Sequence, residues 1–125
     1  MGPLNVLLLA GEREFAGAFR ALVRAFGHHV RIHQDEQAAI DDARQSPPDV
    51  VFVDQTEDEA HGELLCRFVR EAFSHRARLV AITSDDTSDH LSACRAAGLD
   101  FRFSKPLLAE DLERFLAVSS GELLG

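Results

Sequence analysis

Three side chains with complementary chemistry each stand at the end of a short apolar run. They are Asp54, Thr83 and Lys105, and long stretches of chain separate them. An aspartate carboxylate can accept a phosphoryl group as a nucleophile, and a lysine ammonium and a hydroxyl can bind the oxygens of that group. If the fold brings the three together, they have the chemistry of a phosphoryl-accepting switch.

The elements that must position these residues follow from the hydrophobic pattern. Short apolar or alternating runs predict strands at 4–9, 29–33, 50–53, 79–82 and 101–103. Apolar residues at helical spacing predict helices within 15–26, 34–45, 65–72, 86–97 and 108–116. Strands and helices that alternate in this way predict an α/β fold, with a parallel sheet covered by helices on both faces.

The strand patterns also predict the order of the sheet. The first, third and fourth runs are apolar on both faces, as interior parallel strands are, whereas the second and fifth alternate. A doubly wound (βα)5 sheet of order 2-1-3-4-5, the flavodoxin-like order, places the two alternating strands at the edges. The 125 residues suit one domain, which we expect to span 1–118, with 119–125 as a tail or the start of a linker.

The predicted topology brings the candidate residues to one crevice. Ligands of such sheets bind beyond the carboxyl ends of the strands, where the order switches between strands one and three. The residues that follow the strand ends should therefore converge there. They are Ala10, Gly11, Glu12, Asp54, Thr83, Lys105 and Pro106.

Composition excludes several classes of function. The net charge of -8 repels phosphate backbones and anionic lipids, so we expect this domain to bind neither nucleic acid nor membrane. The apolar run at 4–9 is too short for a signal peptide and lacks a basic flank, so we expect a cytoplasmic protein. We therefore expect Cys66 and Cys94 to be reduced, buried thiols. The chain has no glycine-rich nucleotide motif, and its six histidines lack metal-ligand spacing.

The motifs together resemble a known family. The chain is similar to bacterial response-regulator receiver domains over residues 4–117. The segments that carry the resemblance are Gly27–Val30, Pro48–Asp54, Gly62 with Cys66-Arg67, Ala81–Thr83, and Ala96–Gly98 followed by Lys105-Pro106. The resemblance implies that Asp54 occupies the phosphoacceptor position, that Thr83 is the switch hydroxyl and that Lys105 contacts the phosphoryl group. It also implies that the Lys105–Pro106 peptide is cis, as is common in the family.

The chain departs from the family at the metal site. The family carries an acidic pair directly after the first strand, but here Ala10 and Gly11 stand there and only Glu12 follows. Magnesium requires an octahedral set of oxygen ligands with carboxylate help. We therefore expect a degenerate site that holds no metal and no other cofactor. With the acidic pair gone, Lys105 can pair directly with Asp54 and close the crevice.

Two further departures affect signalling. Arg102 occupies the position of the family's switch aromatic residue, and an arginine stays outward unless a charged partner is buried with it. The loop at 55–61 is acidic, where the family has an apolar pair and a proline.

The resemblance and its departures favour a pseudo-receiver, not an enzyme, that acts in two-component signalling largely without phosphorylation. It would bind a histidine kinase, an effector domain or its own copy through the surface of the fourth helix, fifth strand and fifth helix. That surface includes His90, Arg95, Arg102, Glu110 and Arg114. The alternative is a working receiver phosphorylated on Asp54, with Glu12 and a carbonyl near Thr56 holding magnesium. A weaker third possibility is a small anionic ligand in the crevice.

Overall fold

The computed structural model describes residues 2–55, 62–84, 96 and 98–121. Five strands and four helices lie within these residues. The strands are β1 (Asn5–Leu9), β2 (His29–His33), β3 (Val50–Gln55), β4 (Arg78–Thr83) and β5 (Phe101–Ser104). The helices are α1 (Arg13–Ala25), α2 (Glu36–Gln45), α3 (Glu63–Phe73) and α4 (Ala109–Ser119). The helix predicted at 86–97 lies outside the described residues except for Ala96, so α4 is the last of the predicted helices.

The strands form one parallel sheet in the order β2-β1-β3-β4-β5, which confirms the predicted topology. All six residues of β3 are buried, as are the last four of β1 and the last five of β4. The edge strands β2 and β5 are half-buried or exposed along their length. Position in the sheet therefore follows the apolar pattern of each strand.

Two apolar cores lie on opposite faces of the sheet. Leu8 of β1 and Phe52 of β3 pack with residues of α1 and α4 on one face. Their neighbours Leu7 and Val53 pack with residues of α2 and α3 on the other. Successive side chains of a strand point to opposite faces, so each interior strand contributes to both cores. Burial of one such side chain contributes about 1.5–3 kcal/mol to stability.

The residues at the helix ends explain why two helices have different bounds in the structure from those predicted from the sequence. Helix α2 begins after Asp35, whose side chain accepts a hydrogen bond from the Ala38 backbone N–H at 2.9 Å. Aspartate at this position satisfies an otherwise free helix donor, so Gln34 lies outside the helix. Helix α4 extends to Ser119, and the buried Ser120 caps it before Gly121. Residues 122–125 of the expected tail are not among those described.

A hydrogen-bonded cluster ties the elements together at the amino ends of β4 and β5. Arg70 of α3 donates to the carbonyl oxygens of Ser74, Ala77 and Gly98 at 2.8–3.0 Å. It also forms an ion pair with Asp100, which accepts the Leu79 backbone N–H at 2.9 Å. One guanidinium thus fixes the end of α3 to two strands, opposite the predicted crevice.

Among the described residues, none of the helices is both long enough and apolar enough to cross a membrane.

Candidate functional site

The sheet register places the sequence-predicted residues at the ends of neighbouring strands. Asp54 lies beside Ile82 of β4, and the next residue, Gln55, lies beside Thr83. Thr83 in turn lies beside Ser104, and its carbonyl oxygen accepts the Lys105 backbone N–H at 2.9 Å. The parallel strands therefore present Asp54, Thr83 and Lys105 at the same end of the sheet.

Asp54 and Lys105 form a close ion pair. Lys105 Nζ lies 2.7 Å from Asp54 Oδ1, with the Asp54 side chain 0% exposed and the Lys105 side chain 25% exposed. Apart from this pair, neither carboxylate oxygen of Asp54 accepts a hydrogen bond from the residues that the structure describes. The direct contact expected from the sequence is thus present, and the ammonium is the principal compensation for a fully buried charge.

Lys105 also contacts helix α1. The Lys105 ammonium lies 4.8 Å from the centre of the Phe15 ring, within the range of a cation–π contact. The Lys105–Pro106 peptide is cis, as the resemblance implied. Lys105 therefore reaches from the end of β5 to both Asp54 and α1.

Thr83 is completely buried at the end of β4. Its neighbour across the strand pair, Gln55, is also buried, with 7% exposure. The hydroxyl of Thr83 is therefore not presented to solvent.

The residues after β1 supply no inward carboxylate. Ala10 is buried, and its backbone N–H donates to the His33 carbonyl oxygen at 3.0 Å. Gly11 is exposed, with open space where a Cβ would lie. Glu12 is exposed at the start of α1, and its side chain makes no ion pair or hydrogen bond with the described residues.

These residues do not fit a magnesium ion. Magnesium keeps an octahedral shell of oxygens and is held by carboxylates. Asp54 is already neutralised by an ammonium at 2.7 Å. Within residues 2–55, 62–84, 96 and 98–121, no three His, Cys, Asp or Glu side chains are grouped to hold a metal.

The residue at the switch-aromatic position lies on the surface. Arg102 is exposed and donates to the Ser104 hydroxyl at 3.2 Å, which confirms its expected outward orientation. The flanking residues Phe101 and Phe103 instead pack against Phe115 of α4, with ring centres 5.2 and 5.5 Å apart. Strand β5 therefore joins α4 through aromatic contacts and presents a cation outward.

The predicted interaction surface is described only in part. Arg102, Glu110 and Arg114 are all exposed, on β5 and on α4. His90 and Arg95 lie outside the described residues.

Sequence reasoning missed an apolar groove between α1 and the loop after β5. The groove has a volume of about 590 Å³. It is lined by Glu12, Glu14, Phe15, Ala18, Phe19, Leu22, Lys105, Pro106 and Leu107. Phe15, Ala18 and Leu22 recur at helical spacing, a signal that the apolar side of α1 is wider than one core contact needs.

Comparisons with known proteins agree on the fold. No protein-family model matches the chain, and no curated protein matches it. Among solved structures, Vibrio cholerae chemotaxis protein CheY4 is 18% identical with a TM-score of 0.83, over 94% of this chain and 99% of that protein. A response regulator from Thermotoga maritima is 23% identical with a TM-score of 0.81, over 97% and 99% of the two chains.

A third neighbour is notable for its metal. The receiver domain of the sensor histidine kinase PA1611 from Pseudomonas aeruginosa is 21% identical with a TM-score of 0.83, over 96% of this chain and 99% of that domain. In that protein a magnesium ion is coordinated in the active-site cleft. The chain described here therefore has the CheY-like receiver fold. Within this fold, the Lys105–Asp54 pair lies at the end of the sheet where Ala10 and Gly11 follow β1.

Proposed function

We propose that this domain acts in two-component signal transduction as an atypical receiver, a protein-interaction module whose output does not depend on phosphorylation of Asp54. The observation that carries the proposal is the contact between Lys105 and the fully buried side chain of Asp54, which balances the charge of the nucleophile.

Access to the nucleophile supports the proposal. An incoming phosphodonor must reach an Asp54 oxygen in line, yet the Asp54 side chain has 0% exposure. Reaction first requires the residues around Asp54 to rearrange so that one of its buried oxygens becomes accessible. Each ~1.4 kcal/mol added to the barrier slows the reaction about tenfold.

The proposal is also supported by the absence of side-chain oxygens at positions 10 and 11 that could hold a divalent ion. Phosphoryl transfer to a carboxylate brings two anionic groups together, and a divalent ion normally offsets their repulsion. Ala10 and Gly11 offer no side-chain oxygen for such an ion, and Glu12 is exposed at the start of α1. No cofactor is therefore part of the proposed function.

The proposed partners are proteins. The exposed residues Arg102, Glu110 and Arg114 suit a polar contact with a histidine kinase, an effector domain or a second copy of the chain. The net charge of -8 disfavours nucleic acid and anionic membranes. A role in two-component signalling places the domain in the cytoplasm, as a binding module and not as an enzyme.

A second candidate function is a working phosphoacceptor. The positions of Asp54, Thr83 and Lys105 at one end of the sheet favour it, because the resemblance implies these three residues for a phosphoacceptor. In that case Glu12 would have to turn toward the crevice to help hold magnesium.

One experiment separates the two functions. The domain is incubated with magnesium and acetyl phosphate, and its intact mass is recorded beside an Asp54→Ala control and an unrelated active receiver. We expect label on the active receiver and none on this domain. A phosphoryl-sized mass gain that disappears in the Asp54→Ala variant would overturn the proposal and establish the second function.

A further inference from the structure

A shallow cleft lies at the amino ends of β4 and β5, at the end of the sheet opposite Asp54. It has a volume of about 400 Å³ and is lined by His75, Arg78, Asp100 and Phe101. Ligand-binding pockets in proteins measure about 300–1,000 Å³, so this cleft is large enough for one or two side chains of a partner.

Arg78 brings an uncompensated positive charge to the cleft. Its side chain forms no ion pair or hydrogen bond with the residues that the structure describes. Its guanidinium lies 5.8 Å from the centre of the Phe101 ring, in a cation–π contact. The N–H donors of a guanidinium lie in its own plane, so the ring contact leaves them able to bind a carboxylate at two points. Arg78 is therefore positioned by an aromatic ring and remains available to an anion.

The acidic residue in the cleft does not cancel this charge. Asp100 is already in an ion pair with Arg70, and it accepts the Leu79 backbone N–H at 2.9 Å. The other carboxylate oxygen, Oδ1, lies 3.9 Å from Nδ1 of the exposed His75. The cleft is thus a cationic site in a chain of net charge -8, and it attracts acidic groups that the rest of the surface repels.

Phe101 supplies the apolar part of the cleft. Its side chain is 44% exposed, and it is one of three large apolar side chains that are exposed within the described ranges. The ring packs against Phe115 of α4 with ring centres 5.2 Å apart, so its position is fixed. A fixed ring of this kind can pair with an aromatic side chain of a partner, at a centre separation of about 4.5–7 Å.

These features select among the possible ligands. Nucleic acids carry many phosphates, which the net charge of the domain repels, and the chain lacks a glycine-rich phosphate loop. A second copy of the chain would bring together two molecules of net charge -8. A short peptide segment with one aromatic residue and one or two carboxylates matches the ring of Phe101 and the guanidinium of Arg78.

We propose that this cleft binds an acidic segment of a partner protein, in which an aromatic residue flanked by Asp or Glu packs on Phe101 and a flanking carboxylate pairs with Arg78. This inference deepens the proposed function, because it states the chemistry of one partner of the interaction module. Successive residues of a strand face opposite sides of the sheet, so the cleft is separate from the surface that contains Arg102.

The test uses a synthetic peptide of about ten residues, about 33 Å long when extended, with a central Phe between two Glu residues. A second peptide has Lys in place of both Glu residues, and a third has Ser in place of the Phe. Binding to the isotope-labelled domain is followed by NMR. We expect saturable shifts at His75, Arg78 and Phe101 with the first peptide, weaker binding of the third and no binding of the second.

Variants locate the site. Arg78→Gln should weaken binding about fivefold, as loss of an exposed ion pair does. Arg78→Lys keeps the charge but not the two-point contact, so its affinity should lie between those of Arg78→Gln and the natural sequence. Phe101→Leu keeps an apolar contact with Phe115 and should weaken binding about twofold to tenfold, through loss of the aromatic pair. Arg24→Gln removes an exposed charge at the end of α1 and should leave the affinity unchanged.

Amide spectra first establish that each variant is folded. The cleft proposal would be overturned by no binding of the first peptide, by shifts confined to another face, or by equal losses for Arg78→Gln and Arg24→Gln. Any of these results would leave the proposed function standing. Phosphorylation of Asp54 in the mass experiment would overturn the proposed function without affecting the peptide result.

Discussion

Lys105 Nζ lies 2.7 Å from Asp54 Oδ1, and the same ammonium lies 4.8 Å from the ring centre of Phe15. The carboxylate is fully buried, and its lysine partner retains a quarter of its exposure. An ammonium tethered to the chain thus balances the charge of the buried carboxylate.

Removal of the lysine charge should destabilise the domain. Lys105→Met keeps the length of the side chain but leaves the buried Asp54 carboxylate without its partner. Breaking a buried ion pair in this way costs about 3–5 kcal/mol. Urea unfolding followed by far-UV circular dichroism measures this, since the chain has no Trp or Tyr for fluorescence. The double variant Asp54→Leu with Lys105→Met should recover most of the loss; a double variant as unstable as the single one would argue against the pair.

Restoring the acidic pair should create a magnesium site. Gly11 has no positive φ and open space at its Cβ position, so Gly11→Asp introduces no backbone strain. Together with Ala10→Asp it supplies the carboxylates that magnesium needs near Asp54. We expect calorimetric binding of magnesium to the double variant and none to the natural sequence. The added Asp54→Asn change should abolish it, and the absence of binding to the double variant would show that more than these two ligands has been lost.

The Arg70 cluster should contribute strongly to stability. Arg70→Met removes three hydrogen bonds to carbonyl oxygens and the ion pair to Asp100. Each such bond from a charged donor contributes about 1.5–3 kcal/mol, but the bonds are not additive, so we expect a loss of about 2–4 kcal/mol in urea unfolding. Arg67→Met, on the same helix, removes only the exposed pair with Glu63 and should cost less than about 1 kcal/mol. Equal losses would contradict this distinction.

Two glycines should respond in opposite directions to alanine. Gly62 has a φ of 94°, and an added Cβ would lie 2.5 Å from Val53 Cγ1. Gly62→Ala should therefore cost about 1–3 kcal/mol, through strain in a left-handed conformation and overpacking. Gly17 lies within α1 and has free space around its Cβ position, so Gly17→Ala should stabilise by about 0.4–1 kcal/mol. Thermal unfolding of both variants provides the comparison.

The sequence predicted the sheet order because burial leaves a strong pattern on parallel strands. Val50 to Val53 are apolar at every position, whereas β2 alternates, and only one common order places β2 and β5 at the edges. Convergence of Asp54 with Lys105 followed from the same order, since all strands end on one side. These features depend on chain connectivity and not on side-chain conformations.

The apolar pattern of the sequence could predict neither the direction of the Glu12 side chain nor the presence of the groove. Whether Glu12 faces the crevice depends on how α1 begins, and the structure places it exposed on the groove side. The groove itself depends on Ala18 being small and on the path of the loop at Pro106. Neither the depth of a groove nor the path of a loop is encoded in residue periodicity.

The cation that balances Asp54 belongs to the polypeptide itself. A magnesium-dependent carboxylate senses its surroundings, because the ion and the phosphodonor both arrive from solution at a variable concentration. Lys105 is present at the same effective concentration in every molecule from the moment of folding. In the proposed function the domain therefore has a single signalling state, and its effect in a cell is set by the number of copies present.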